Sequence, residues 1–154
     1  MDIPQTEAHL VIFSLAGEFY GVDIVRVQSI IPYPQITVVP GTPHFVEGII
    51  NLRGEIVPVV DMRARFELAP PEASHKRVIV IVELHGQQVG MVVDKVTEVR
   101  KIPAGQIEPP APLLVGVDSA YLAGIARLED RVVILLDLDR IFSPGEQQAL
   151  RQAA

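Results

Sequence analysis

The chain has 154 residues, a formal net charge of −6 and no cysteine. The negative charge disfavours nucleic acid as a partner, and the missing cysteines exclude disulfides, cysteine-based zinc sites and thiol nucleophiles. A chain of this length buries about 68 to 70% of its extended surface on folding, so we expect one domain or two closely packed subdomains.

The first predicted elements are two strands, over 10–15 and 19–24, joined by a glycine-centred turn. Asp23 is placed to cap a short helix that ends before Pro32. Helical spacing puts four apolar residues on one face of that helix, namely Ile24, Val27, Ile30 and Ile31. A further strand is predicted over 36–39.

The segment from Gly48 to Asp61 predicts a β-hairpin. Two runs rich in Ile and Val flank Arg53 and Gly54, and the glycine supplies the backbone freedom that a tight reversal needs. Prolines at three nearby positions withhold backbone donors, so the hairpin should lie at a sheet edge or carry a bulge. These prolines are Pro40, Pro43 and Pro58. One helical turn is expected near 62–66.

The middle of the chain predicts further extended segments. Residues 78–84 are apolar on both faces, which favours a strand that is buried on both sides. A strand over 89–93 follows, and residues 96–99 continue as strand or short helix. Residues 68–75 predict a loop. The four prolines between 102 and 112 predict an extended connector without a helix or a central strand.

The last predicted elements are a second hairpin and a C-terminal helix. The hairpin covers 121–138 and turns at Glu129 and Asp130. The helix begins after Ser143, because Pro144 and Glu146 complete the pattern of a capping box with proline at the first helical position. Short strands separated by glycine turns are typical of small closed barrels, so we predict a mainly β fold.

The two hairpins repeat one another. The spacing of 13 residues from Gly48 to Asp61 equals that from Gly124 to Asp137. The segments before the hairpins also match, at an offset of 69, with Gly17, Gly21, Val27 and Ile30 falling on Gly86, Gly90, Val96 and Val99. The sequence therefore predicts a duplicated unit that forms two similar small barrels or sheets.

The chain lacks the residue patterns of a catalytic or cofactor site. It contains no glycine-rich phosphate loop, and its four histidines are scattered. Asp61, Asp94 and Asp137 each follow an apolar strand, where we expect them to cap the next turn. No enzymatic activity, no metal and no cofactor are predicted.

Arg53 distinguishes the two hairpins, because Glu129 stands at its position in the second copy. An arginine at a hairpin tip can fork onto a carboxylate, either within the chain or on a partner. From the residues alone, a merely solvated turn arginine is an equal alternative.

Several segments resemble the chemotaxis coupling (CheW-like) family. The most specific is Asn51-Leu52-Arg53-Gly54, followed by Ile56-Val57-Pro58-Val59 and Asp61-Met62-Arg63. Other recurring segments of the family are similar to Gly21-Val22-Asp23-Ile24, Val89-Gly90 and Tyr121-Leu122. The resemblance covers nearly the whole chain and is to the free-standing form of the family.

The resemblance implies two SH3-like five-stranded β-barrels packed on a shared core, with a few short helices, within a single domain over 1–154. It also implies a bacterial chemotaxis adaptor without catalytic activity. Such an adaptor links the cytoplasmic tips of chemoreceptors to the regulatory domain of a sensor histidine kinase, and self-association in arrays would fit the same role.

Carried over by position, the receptor-facing groove comprises Gly48, Ile49, Asn51, Arg53 and Val93, and the kinase-facing surface includes Val27 and Ser29. Relatives often carry glutamate in place of Ser29, an acid suited to pair with the hairpin arginine. Serine does not supply that charge. For Ile49 and Val93, ordinary core packing is an equal alternative.

Two other functions stay open at this point. One is an adaptor of a pilus-type or other alternative chemosensory array, and the other is a small-ligand-binding β-barrel. We expect a cytoplasmic location without membrane insertion, because the amino terminus lacks the pattern of a signal peptide and the apolar runs are too short to span a bilayer.

Overall fold

The computed structural model describes residues 7–72, 76–109 and 121–154. Its strands are β1 (Glu7–Leu15), β2 (Glu18–Asp23), β3 (Val27–Pro32), β4 (Val46–Leu52), β5 (Glu55–Asp61), β6 (Val78–Leu84), β7 (Gln87–Val93), β8 (Lys95–Pro103), β9 (Ile107–Glu108), β10 (Leu122–Arg127) and β11 (Val132–Leu136). Two α-helices, α1 (Met62–Arg65) and α2 (Pro144–Ala153), follow the strands β5 and β11 in the chain. No helix within these ranges is long and apolar enough to cross a membrane.

The strands form two sheets. The first has the order β8-β1-β2-β11-β10-β9 and the second has the order β3-β6-β7-β5-β4. Each sheet contains one parallel pair, β2 with β11 and β5 with β7, and the other pairs are antiparallel. The expected count of five strands is wrong for the first sheet, because the two-residue strand β9 pairs with β10 at its edge.

Each sheet has an apolar cluster of its own, and the two sheets share a third. Leu10, Ile12 and Leu135 lie in the cluster of the first sheet, and Ile79 and Ile81 lie in that of the second. The shared cluster contains five stacked aromatic rings. Phe13, Tyr20 and Phe66 stack in succession, and Phe45 stacks on Phe142. The predicted mainly β fold around a shared core is confirmed.

Strand β6 is buried on both faces, as its sequence predicts. Ile79 and Ile81 face the cluster of the second sheet, whereas Val80 and Val82 face the shared cluster. Alternate residues of a strand point to opposite faces, so one run of apolar residues serves two cores.

The helix predicted after Asp23 is wrong. Only one 3-10 turn forms, over Ile24–Arg26, and the carboxylate of Asp23 accepts the Val25 N–H at 3.1 Å. The chain then enters β3, which pairs with β6. β-branched residues dominate this segment and favour a strand once a partner strand is available, so tertiary pairing overrides the helical spacing.

Two extended segments also differ from the prediction. The strand expected over 36–39 is reduced to a single bridge between Thr37 and Ile49. The connector expected from 102 begins as the end of β8 and contains one 3-10 turn, Ala104–Gln106, before β9. Residues 110–112 of this connector, and 73–75 of the predicted loop, lie outside the described residues.

The two predicted hairpins form, and their details repeat. Both have a bulge at the same place, before Gly48 in β4 and before Gly124 in β10. The Asp61 N–H donates to the Phe45 carbonyl and the Asp137 N–H donates to the Tyr121 carbonyl, each at 2.8 Å and at the same offset of 76. These pairs support the duplication and the single-domain organisation, which both stay predictions.

The capping roles predicted for the polar residues are confirmed at three places. The Asp61 carboxylate accepts the Arg63 N–H at 3.0 Å, and the Asp137 carboxylate accepts the Asp139 N–H at 3.0 Å. Ser143 Oγ accepts the Glu146 N–H at 3.1 Å, which caps α2 and places Leu150 in the shared cluster. Asp94 has a different role, described below.

Candidate interaction surface

The tip of the β4–β5 hairpin is a rigid turn that presents Arg53 to solvent. Arg53 and Gly54 have positive φ angles of 54° and 87°, the backbone pattern of a two-residue hairpin turn. The Asn51 side-chain oxygen accepts the Gly54 N–H at 2.9 Å and so holds the turn closed. Among the residues that the structure describes, the Arg53 guanidinium has no hydrogen-bond or ion-pair partner. It is therefore free to bind an external carboxylate.

Gly48 determines how this hairpin is held. Its φ angle of 153° is one that side-chain-bearing residues rarely adopt, and a Cβ at this position would lie 2.0 Å from the Thr37 carbonyl oxygen. Thr37 in turn exchanges two backbone hydrogen bonds with Ile49, of 3.0 and 2.8 Å. Gly48 thus allows the segment before the hairpin to lie directly against β4.

Two members of the expected receptor-facing groove are not open surface residues. Gly48 is buried at the bulge. Val93 is 1% exposed and packs in the shared cluster. It is therefore a core residue, which is the alternative that the sequence left open. Ile49 is half-buried, while Asn51 and Arg53 are exposed. The structure therefore brings together the hairpin residues and separates Val93 from them by burial.

The two residues of the expected kinase-facing surface lie on β3, an edge strand of the second sheet. Val27 and Ser29 are half-buried, and Val27 packs against the shared cluster. The residues between and after them, Gln28 and Ile30, face solvent. Sequence analysis missed Ile30 as a surface residue, because it predicted a helix here. In a strand, alternate residues point to opposite faces, and this alternation places Ile30 on the exposed face.

Four exposed apolar residues occupy equivalent positions in the two halves of the chain. Ile30 on β3 and Val99 on β8 differ by the offset of 69, and Ile56 on β5 and Val132 on β11 differ by the offset of 76. Each is 43 to 52% exposed. Isolated exposed apolar residues are common, but their recurrence at repeat-equivalent strand positions favours a shared role in contacting other proteins.

A half-buried polar cluster joins the two edges of the second sheet. The Tyr33 hydroxyl donates to Glu47 Oε2 at 2.6 Å, and Arg77 Nη1 donates to Glu47 Oε1 at 3.2 Å. The Arg77 guanidinium also lies 4.0 Å from the centre of the Tyr33 ring. Burial, with the bond to Glu47, raises the pKa of Tyr33 to about 12, so its hydroxyl stays a donor at neutral pH.

A largely buried ion pair connects the two sheets. Arg63 Nε and Nη2 donate to the two Asp94 oxygens at 2.9 and 2.6 Å, and Arg63 Nη1 donates to the Ala69 carbonyl. Asp94 also accepts the Ala16 N–H from the β1–β2 turn at 2.8 Å. The hydrogen bond with Asp94 raises the pKa of Arg63. Asp94 is therefore a link between sheets, which corrects its predicted role as a cap of the following turn.

The chemistry of this surface is suited to binding. The exposed groups at the hairpin and on β3 are an arginine, the carboxylate of Glu55, amides and aliphatic side chains, which can contact a partner without reacting with it. In the ranges 7–72, 76–109 and 121–154, no three His, Asp or Glu side chains are grouped so as to hold a metal ion.

The sequence of the chain matches a known protein family and several of its curated members. The CheW-like domain model matches residues 9–146. The chain is 38% identical over 139 residues to chemotaxis protein CheW of Klebsiella aerogenes, covering 90% of this chain and 83% of that protein. It is 30% identical over 154 residues to chemotaxis protein CheW of Treponema pallidum, covering 97% and 91%.

A solved structure has the same fold. The crystal structure of the scaffolding protein TtCheW from Thermoanaerobacter tengcongensis matches with a TM-score of 0.82 at 42% identity, covering 90% of this chain and 94% of that one. The residues that the family model matches, 9–146, include nearly all of both sheets, the Arg53 hairpin and the start of α2. On the family match, the sequence identity and the shared fold together, the chain belongs to the CheW-like domain family.

Proposed function

We propose that this chain is a non-catalytic scaffold of bacterial chemotaxis that couples chemoreceptor cytoplasmic tips to the regulatory domain of a sensor histidine kinase. The observation that carries the proposal is Arg53, an exposed arginine held at a rigid hairpin tip within the segment most specific to the family. The scaffold acts on the cytoplasmic side of the membrane, without nucleic acid or a cofactor.

The receptor contact is assigned to the tip of the β4–β5 hairpin. Arg53 and Asn51 supply polar contacts there, and the neighbouring Ile56, which is 45% exposed, supplies apolar area. Gly48 acts indirectly by setting the backbone of β4, and Val93 is left out because it is buried. A rim arginine beside apolar area is a combination enriched in protein interfaces.

The kinase contact is assigned to β3. This edge strand has unpaired backbone groups along one side and carries Ile30 and Gln28 on its exposed face, with Ser29 between them. Ser29 lacks the charge that a glutamate would bring, so the contact in this protein relies on apolar area and on the strand edge. The equivalent residue on β8, Val99, offers a similar surface for self-association in arrays.

Replacing Arg53 with alanine should weaken binding to a chemoreceptor tip fragment about tenfold or more, equal to about 1.4 kcal/mol, because the partner carboxylate loses its forked donor. The melting temperature should change little, because Arg53 has no partner among the described residues. Calorimetric titration with the tip fragment measures the affinity, and thermal unfolding measures the stability. Arg53→Lys keeps the charge and should recover only part of the affinity.

The control for this experiment is Arg151→Ala, which removes an exposed arginine of α2 that is not part of the β4–β5 turn. It should leave receptor affinity unchanged. Equal losses of affinity in the Arg53 and Arg151 variants would show a general charge effect and would remove the hairpin tip from the receptor contact.

Replacing Ile30 with aspartate should reduce affinity for the kinase regulatory domain about tenfold or more, because a charge at an apolar contact must lose its water of solvation. Val38→Asp is the control and should leave kinase affinity unchanged, since Val38 is 75% exposed and lies outside β3. Receptor-tip binding by the Ile30 variant should be normal. Unchanged kinase affinity in the Ile30 variant would exclude the exposed face of β3 from the kinase contact.

A further inference from the structure

We propose that a cavity between the two sheets binds a small molecule that carries a phosphate monoester or pyrophosphate group. The cavity is separate from the hairpin tip and from the exposed face of β3. The proposal does not depend on the scaffold role, because it concerns this chain alone.

The cavity has a volume of about 700 Å³. Four separate parts of the chain line it: the β1–β2 turn, α1, the start of β6 and the junction of β7 and β8. The volume lies within the range of about 300 to 1,000 Å³ that small-molecule sites occupy. Because the walls come from both sheets, a ligand here would contact both at once.

The lining has a charge opposite to that of the whole chain. Four cations line it, Arg63, Lys76, Arg77 and Lys95. Asp94 pairs with Arg63, and Glu47, which is not part of the lining, pairs with Arg77, so a net charge of +2 remains in a chain whose net charge is −6. A concave site of one sign concentrates the field and attracts ligands of the opposite sign. The cavity therefore selects anions on a protein that otherwise repels them.

The two arginines of the lining are already engaged. Arg63 is fixed by Asp94 and the Ala69 carbonyl, and Arg77 is fixed by Glu47 and the Tyr33 ring. Their side chains are held by the protein and so form a preorganised wall of guanidinium N–H donors. Asp94 is neutralised by Arg63 at hydrogen-bond distance, so it does not oppose an incoming anion as a free carboxylate would.

The two lysines are available to a ligand. Lys76 and Lys95 are exposed, and neither has an ion-pair partner within the part of the chain that the structure describes. Lysine is a compact point charge with three donors and binds phosphate without a fixed geometry. Two mobile amines beside a fixed guanidinium wall fit a group that concentrates two or more negative charges, which a phosphate monoester or a pyrophosphate does.

Apart from Ser14, the remaining lining is apolar and favours an organic body on the ligand. Ala16 and Val78 contribute aliphatic surface, and Gly17 leaves open space beside it, where a Cβ would meet no atom within 4 Å. Apolar lining with a few convergent charged groups is the usual composition of a small-molecule site. A phosphorylated metabolite should therefore bind more tightly than inorganic phosphate.

The test is calorimetric titration of the full chain with pyrophosphate, adenosine 5′-monophosphate, inorganic phosphate and citrate, at 50 and at 200 mM salt. We expect saturable binding of pyrophosphate and of the monophosphate, weaker at the higher salt concentration. The double variant Lys76→Gln/Lys95→Gln should lose tenfold or more in affinity. Lys101→Gln, which changes a lysine that is 62% exposed outside the cavity, should bind as the unchanged chain does.

Three results would overturn the proposal. They are the absence of saturable binding by both phosphate ligands, an equal loss in the Lys101 control and the double variant, and citrate binding as tight as that of pyrophosphate. The first would exclude a ligand site of this class, the second would show non-specific attraction, and the third would show that phosphate chemistry is not selected. Because the assay contains no receptor or kinase, its failure leaves the scaffold role untouched.

Discussion

Gly48→Ala should lower the free energy of unfolding by about 4 kcal/mol, a value in the range that marks a specific structural defect. The added Cβ would lie 2.0 Å from the Thr37 carbonyl oxygen and 2.7 Å from its carbonyl carbon. Backbone atoms cannot rotate away as a flexible side chain can. Either the two Thr37–Ile49 hydrogen bonds break or β4 moves, and the rare φ angle of 153° adds strain in both cases.

Two other glycines separate the sources of this loss. Gly105→Ala places a Cβ in open space, so it should change stability by less than about 0.5 kcal/mol. Gly54→Ala also meets no atom within 4 Å, but its φ angle of 87° should cost about 1 to 2 kcal/mol. Urea unfolding of the three variants measures the differences. A loss at Gly48 no larger than that at Gly54 would contradict the close approach of Thr37, whereas failure of the Gly48 variant to fold, with a normal Gly105 variant, agrees with it.

Arg63→Met should lower the free energy of unfolding by about 3 to 5 kcal/mol, because it removes the guanidinium that donates to both oxygens of the largely buried Asp94 carboxylate. The side chains of Arg63 and Asp94 are only 12% and 8% exposed. The substitution also frees the Ala69 carbonyl and weakens the link through Asp94 to the Ala16 N–H. Unfolding in urea should report one cooperative transition at a lower midpoint.

The control is a guanidinium–carboxylate ion pair that is exposed to solvent. Arg127 and Glu108 lie 2.7 Å apart, but their side chains are 54% and 50% exposed, so Arg127→Met should cost no more than about 1 kcal/mol. Replacing both Arg63 and Asp94, with methionine and asparagine, should recover part of the loss, since the buried carboxylate charge is then removed together with the guanidinium. Similar losses at Arg63 and Arg127 would mean that burial does not strengthen the Arg63 pair.

These expectations divide the residues of the family hallmark into two roles. Gly48 and Arg63 shape and fix the protein, so changing them should be seen first in stability. Arg53 is held at an exposed tip by its neighbours, so changing it should be seen in binding. The two classes can be told apart by measuring unfolding and partner affinity on the same variants.

The sequence alone determined the elements that depend on neighbouring residues. A glycine at the second turn position, with Ile- and Val-rich runs on both sides, is sufficient to specify the β4–β5 hairpin. Ser143 and Glu146 cap α2 by contacts three residues apart, and the alternation of 78–84 between two apolar faces specified β6. The equal spacing from Gly48 to Asp61 and from Gly124 to Asp137 predicted a repeated hairpin, and the two hairpins have bulges at the same place.

Only the tertiary structure decided the features that join distant segments. Residues 27–32 have both helical spacing and β-branched composition, and pairing with β6 selects the strand. The two sheets are interleaved along the chain, since the first combines β1 and β2 with β8 to β11, an arrangement that no local pattern encodes. The burial of Val93 and Arg63 also follows only from the fold, because burial depends on which strands pack against one another.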